Sequence, residues 1–172
     1  MRIIAGSHRG SRFAAPKGRE TRPTSDRVRE NAFNLLGPVD DAAVLDLFAG
    51  SGGMGLEAIS RGAATCVFIE SDRDACRTIN ENLDKLRMRG TVLCQDVFRA
   101  VARERREFEL ILCDPPYTVD ATGLPFARLL TVGGVLVYES SGREAAPQID
   151  GLAERTSRKY GSARLTLFNR QP

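Results

Sequence analysis

Four glycines fall within the six residues from Gly50 to Gly55, directly after the run Val44-Leu45-Asp46-Leu47-Phe48. Their spacing is G-x-G-x-x-G, following a predicted strand and opening a predicted helix, the context that gives the pattern meaning. Glycines there permit a tight turn and let a ligand approach the backbone where a Cβ would collide. A plain βα turn has no use for so many. The loop therefore commits the chain to βα units around an open parallel sheet, with ligands at the C-terminal ends of the strands.

The remaining pattern agrees. Strand-like runs at Ala43–Phe48, Thr65–Ile69, Thr91–Cys94, Phe108–Cys113 and Val135–Glu139 alternate with helical stretches. The helices are expected at Gly53–Arg61, Asp72–Met88, Val97–Arg105 and, briefly, near Pro125–Leu130. Short apolar runs between amphipathic helices indicate parallel strands covered on both faces. Upstream, Arg2–Ala5 and Arg12–Ala14 read as short extended pieces and Lys17–Pro23 as loop. Thr24-Ser25-Asp26 then caps a helix that ends at Leu36, stopped by Gly37-Pro38. At the far end, Leu152–Lys159 and Arg164–Phe168 form an antiparallel hairpin through Tyr160-Gly161-Ser162. The fold class is thus an α/β, Rossmann-like three-layer sandwich, its mostly parallel sheet closed by an antiparallel hairpin.

No apolar run exceeds four residues, and the start, Met1-Arg2-Ile3-Ile4-Ala5-Gly6, does not resemble a secretory signal. Cys66, Cys76, Cys94 and Cys113 include no C-x-x-C pair, and His8 is the one histidine, so no metal site is expected. Cys66, Cys94 and Cys113 lie in strand-like runs and are expected to be reduced core thiols, which implies a cytoplasmic protein with no membrane association. The net charge of +3 hides an asymmetry: Met1–Glu30 holds eight cationic side chains against three acids, leaving a mildly acidic remainder. A cationic arm on such a body suits a phosphate backbone, although a solvated terminus has the same composition.

Asp114-Pro115-Pro116-Tyr117 directly follows the run Phe108–Cys113. A buried strand there delivers a carboxylate, two prolines and an aromatic ring to the ligand-binding edge of the sheet. The prolines remove two N–H donors, so the backbone offers carbonyl acceptors only. Acceptors beside a flat ring suit a planar target carrying an amino group. Three further acids stand in register with the glycine loop. Glu70 ends the second strand, where ribose hydroxyls are held. Asp46, inside the first strand, is placed to meet an ammonium group and would repel a pyrophosphate. Asp96, after the third strand, can accept from an adenine amino group. Glu70 would serve either cofactor, whereas Asp46 and Asp96 favour S-adenosylmethionine over a nicotinamide dinucleotide.

At these residues the chain resembles class I S-adenosylmethionine-dependent methyltransferases, and within them the bacterial 16S rRNA guanine-N2 methyltransferase family of the RsmD type. The likeness runs through Arg2-Ile3-Ile4-Ala5-Gly6, Thr21-Arg22-Pro23-Thr24, Asp26-Arg27-Val28-Arg29-Glu30, Phe33-Asn34, Asp46 to Gly52, Leu56-Glu57-Ala58, Ser60-Arg61-Gly62-Ala63, Glu70-Ser71-Asp72, Asp114 to Tyr117 and Lys159-Tyr160-Gly161. It implies a seven-stranded methyltransferase domain over residues 25–172 behind a basic, RNA-binding extension, residues 1–24. It also implies methylation of the exocyclic N2 of one guanine, a guanine-966-type site, in small-subunit ribosomal RNA; naked RNA and the 30S particle both stay open as substrates, and a monomer is the default expectation.

The site residues implied by the likeness fall in three groups. Asp46, Phe48, Gly50, Ser51, Gly52, Glu70, Ser71, Asp96, Val97 and Asp114 contact the cofactor, with Thr24 bordering the pocket. Asp114, Pro115 and Tyr117 face the target base. Arg9, Arg12, Arg22, Arg27 and Arg29 hold RNA phosphates. One departure follows Tyr117: only 16 residues, Thr118 to Gly133, precede the next strand stretch, so the connecting helix is expected to be trimmed.

Adenine-N6, cytosine-N4 and protein-glutamine methyltransferases would share the proline corner, because each acts on a planar amino group; an assay across substrate classes separates them. An NAD-dependent oxidoreductase would share the glycine loop but leave Asp46 and the proline corner without a task. S-adenosylhomocysteine and NAD, compared as stabilising ligands, separate that pair. A silent RNA-binding relic is a third reading, at odds with two intact halves of an active site.

Overall fold

The computed structural model describes residues 1–16 and 26–172. Seven strands form one sheet in the order β3-β2-β1-β4-β5-β7-β6. The strands are β1 (Ala43–Leu47), β2 (Thr65–Glu70), β3 (Gly90–Cys94), β4 (Phe108–Cys113), β5 (Leu130–Ser141), β6 (Leu152–Tyr160) and β7 (Ala163–Arg170). The first five pair in parallel, and β7 joins β5 and β6 antiparallel. Five helices complete it: α1 (Asp26–Leu36), α2 (Gly53–Ser60), α3 (Arg73–Leu86), α4 (Val97–Arg103) and α5 (Phe126–Leu129). Since β1 turns toward β2 on one side and β4 on the other, the winding reverses between β1 and β4. A crevice opens there, beyond the strand ends.

Strand pleating divides the interior in two. On one face Val44, Leu110, Leu112, Val137 and Leu165 pack with α1, α2 and α3. On the other Leu45, Leu47, Ile111, Cys113 and Leu136 pack with α4 and α5. Each strand alternates between the two clusters, as period-2 side chains must.

The N-terminal segment is part of this core rather than a loose arm. Arg2 and Arg12 form an antiparallel bridge, and Ile3 and Phe13 are buried among α1 and α2 residues. Glu57, fully buried on α2, accepts from the backbone of Ile4 and Ala5 (2.9 and 3.0 Å) and from Arg61 Nε (2.8 Å). Asn82 on α3 clasps Ala14 through both its amide atoms.

Two expectations are corrected. Cys94 is exposed, because edge strand β3 turns its last residues toward solvent; Cys66, Cys76 and Cys113 are buried, and all four thiols are free. β5 begins at Leu130 rather than Val135: the ladder to β4 shifts between Phe108 and Leu110, and Gly133 (φ +80) lets the extra residues bulge. The trimmed connection after Tyr117 is present, with α5 a single turn.

Candidate active site

Strand register decides which side chains meet. Asp46 on β1 lies opposite Leu112 on β4, and Leu112 opposite Val137 on β5. Two residues further along their strands, Asp114 and Glu139 keep the same parity and therefore the same face of the sheet. Three neighbouring strands thus turn carboxylates toward α2. Asp46, Met54, Leu112, Asp114, Val137, Glu139 and Leu165 line one small cavity there. Sequence reasoning had paired Asp46 with Asp114 but had given Glu139 no role, although the series Val135, Val137, Glu139 mirrors Leu110, Leu112, Asp114.

No lysine or arginine ion-pairs with Asp46 or Glu139 among the described residues. Burial pushes the Asp46 carboxyl well above its usual range; the Gly55 N–H opposes the shift, and the charges of Asp114 and Glu70 add to it. Burial, and then the charge of Asp114, push Glu139 up to about 8, with the Tyr117 hydroxyl opposing. A positively charged ligand would draw such mutually repelling carboxyls back toward ionisation. A pyrophosphate does not fit such surroundings; a sulfonium with an ammonium group does.

The glycine loop borders this cavity through Met54. Gly52 takes φ +76 as the N-cap of α2. A Cβ on Gly55 would lie 2.3 Å from the Phe68 ring and 2.7 Å from Cys66 Sγ, so this glycine lets α2 press onto β2. Asp46 Oδ2 fixes the arrangement by accepting from the Gly55 backbone at 2.9 Å. Glu70, at the end of β2, accepts from the backbones of Gly50, Ser71 and Asp72, each at 2.8 Å, and so ties the loop to the second βα turn. Asp96 caps α4, accepting from the Arg99 backbone at 3.0 Å, and Val97 is buried behind it.

Phe48 sits between these acids with φ +58, a strained conformation for an aromatic residue. Its ring meets Phe98 edge-on at 6.4 Å. Phe98, largely exposed and not foreseen from the sequence, adds an apolar surface beside Asp96.

Across Glu139 lies a second, wider cavity of about 290 Å³, lined by Pro115, Pro116, Tyr117, Asp120, Tyr138, Glu139 and Glu144 among others. Tyr117 is 53% exposed, and its hydroxyl donates to Glu139 Oε1 at 3.3 Å and to the Ser162 carbonyl at 3.5 Å. Glu139 lines both cavities, and Asp114 and Pro115, adjacent in the chain, line one each. The glycine-loop corner and the proline corner therefore adjoin.

Of the arginines expected to meet RNA, Arg9, Arg12 and Arg27 are exposed. Arg29 is not: it is fully buried, donating to Asp26 Oδ1 (2.9 Å) and the Arg2 carbonyl (2.7 Å) and lying 3.5 Å from Glu57. Its charge is enclosed by the fold, which removes it from any phosphate-binding set. Arg22 and Thr24 lie outside the described residues.

A family model described as Conserved hypothetical protein 95 matches residues 1–169. YlbH of Bacillus subtilis (strain 168), described as a candidate rRNA methyltransferase, is 36% identical over 99% of this chain and 100% of its own length. Ribosomal RNA small subunit methyltransferase D of Escherichia coli (strain K12) is 41% identical over 68% of this chain and 60% of its own. Among solved structures, yhhF of Escherichia coli, described as a candidate methyltransferase, superposes with a TM-score of 0.89 at 32% identity, covering 99% of this chain and 98% of its own.

Proposed function

Since the chain belongs to the Conserved hypothetical protein 95 family, we propose that it is an S-adenosylmethionine-dependent rRNA methyltransferase acting on the exocyclic N2 of one guanine, of the guanine-966 type, in small-subunit RNA. The names of its relatives support the rRNA substrate. The observation that carries the chemistry is the convergence of Asp46, Asp114 and Glu139 on one face, next to the Pro115–Tyr117 corner.

In this reading Asp46, the Gly50–Gly52 turn with Ser51, Phe48, Glu70, Ser71, Asp96, Val97 and Asp114 hold the cofactor, with Thr24 at the border. Bound there, S-adenosylmethionine supplies a methyl carbon made electrophilic by its positive sulfur. The protein's task is alignment. A guanine amino nitrogen shares its lone pair with the ring and is a poor nucleophile. Asp114 and the Pro115 carbonyl each accept one N–H, which pyramidalises the nitrogen and aims its lone pair at the cofactor side. Asp114 takes the proton that the methylated nitrogen gives up. Tyr117 covers the base, a contact of the kind that contributes about 1–3 kcal/mol. A paired guanine hides its amino group, so the base is flipped out or unpaired.

The RNA backbone rests on the basic extension, residues 1–24, through Arg9, Arg12, Arg22 and neighbouring Arg27. The protein works as a monomer in the cytoplasm, on naked RNA or the 30S particle. Replacing Asp114 by Ala is expected to abolish methyl transfer, while S-adenosylhomocysteine affinity, measured by calorimetry, falls by no more than the loss of one of several contacts. Wild-type turnover in that variant would refute the assignment.

A further inference from the structure

Cys76 and Cys94 have no part in the methyl transfer described above, yet both converge on Glu70. In the parallel ladder of β2 and β3, Cys94 is the register partner of Glu70, so the two side chains share a face of the sheet. That face is the one α3 covers, since Phe68, two residues before Glu70, packs there with Ile79 and Leu83. Cys76, one turn before Ile79, is buried and turns its thiol back to the same point, donating to the Glu70 carbonyl at 3.3 Å. Cys94 is exposed, on the edge strand of the sheet. An accessible thiol thus lies beside a sheltered one, the arrangement in which one cysteine is oxidised and a second resolves it. We propose that Cys94 and Cys76 form a peroxide-driven disulfide that loosens the Glu70 corner and with it the hold on the cofactor. Its effect on binding rests on the reading of Glu70 as a cofactor residue given above.

Hydrogen peroxide is the oxidant. The Cys94 sulfur attacks it: an S–O bond forms, the O–O bond breaks, and the thiol proton leaves with the departing oxygen as water. The Cys76 sulfur then attacks the sulfenic sulfur. An S–S bond forms, the S–O bond breaks, and the Cys76 proton leaves in a second water. Two thiols lose two electrons and one peroxide gains them. Burial, then a hydrogen bond with Cys94 and its charge, push the Cys76 thiol up to about 12, which keeps it protonated and leaves the first attack to Cys94. The new bond removes the S–H donor from the Glu70 carbonyl and draws the first turn of α3 toward β3. Between them lies the turn through Ser71 and Asp72, where the Glu70 carboxylate ties the glycine loop to the strand end. In a reducing compartment such a bond is transient, a sensor rather than a staple.

The test treats the protein with hydrogen peroxide, alkylates the remaining thiols and maps the peptides by mass spectrometry. Calorimetry reads S-adenosylhomocysteine affinity before treatment, after it and after dithiothreitol. A Cys76–Cys94 cross-link is expected, with Cys66 and Cys113 left as thiols. Affinity is expected to fall by roughly tenfold, the scale of one lost hydrogen bond, and to recover on reduction. Cys94→Ser is expected to bind like reduced wild type both before and after peroxide. Absence of the cross-link, with Cys94 intact or further oxidised, overturns the proposal. So does a cross-link that leaves affinity unchanged, or an equal loss of affinity in peroxide-treated Cys94→Ser. Reduced wild type that binds no S-adenosylhomocysteine overturns instead the cofactor reading, and the effect assigned to the disulfide falls with it.

Discussion

Asp114 and Glu139 show how far a single residue's meaning depends on its strand. Asp114 was legible because it opens a motif. Glu139 has no motif, and only the alternation along β5, matched against β4, places it beside Asp114. Arg29 fails in the opposite direction. Counting charges put it on an RNA-binding surface, but charge counts ignore partners, and Asp26 three residues earlier with Glu57 on α2 draw it into the core.

The Glu139 shift carries its own prediction. The carboxyl rises from its ordinary 4.5 to about 8. Between those values the folded protein keeps a proton that the unfolded chain has released, so this group's contribution to stability is lost as pH rises through the interval. Asp46, Asp114 and Tyr117 face the group and are unchanged in Glu139→Gln, so comparison with that variant isolates it. Urea midpoints from pH 5 to 8.5 are expected to show wild type losing stability relative to Glu139→Gln. Parallel curves would contradict the shift.

At the scale of elements, the strands and helices around the glycine loop were readable to within a residue or two, because loop spacing, apolar runs and glycine stops all agreed. The N-terminal segment was read only as two extended pieces with a charge excess. What anchors it is Glu57, a charged residue set between Leu56 and Ala58 on a helix whose other faces are largely buried. That placement is the signal the sequence offered. Removing it leaves the amides of Ile4 and Ala5 without their acceptor, and Arg29 and Arg61 without one of their counter-charges. Breaking such a buried ionic set costs about 3–5 kcal/mol. Glu57→Ala is expected to lose stability on that scale in urea, with faster amide exchange at residues 3–5. An unaltered midpoint would mean that the apolar contacts and the hydrogen bonds to Asn82 and Ser60 hold the N-terminal segment without Glu57. β5 was underestimated because its first residues enter the ladder through a bulge, which breaks the period-2 pattern.

For the whole molecule, sheet topology does the functional work. The reversal between β1 and β4 opens one crevice, and the glycine loop and the proline corner reach it from adjacent strands. The sequence could place both at strand ends but could not say that they adjoin, since strand order is not written in periodicity. On the proposed reading, the basic extension supplies contacts to RNA phosphates. Neutralising Arg9, Arg12 and Arg27 together is expected to weaken binding to small-subunit RNA and to flatten its dependence on salt, each lost phosphate contact reducing the log–log slope by about 0.7–0.9. An unchanged slope would place RNA contact elsewhere.

The central claim is that the Asp114 corner presents a guanine amino group to a methyl donor held by the glycine loop. It is tested most directly by incubating the protein with labelled S-adenosylmethionine and unmethylated small subunits, then digesting the RNA and mapping the labelled nucleotide. The account predicts a single labelled N2-methylguanine. Label on adenine or cytosine, on protein alone, or nowhere would contradict it.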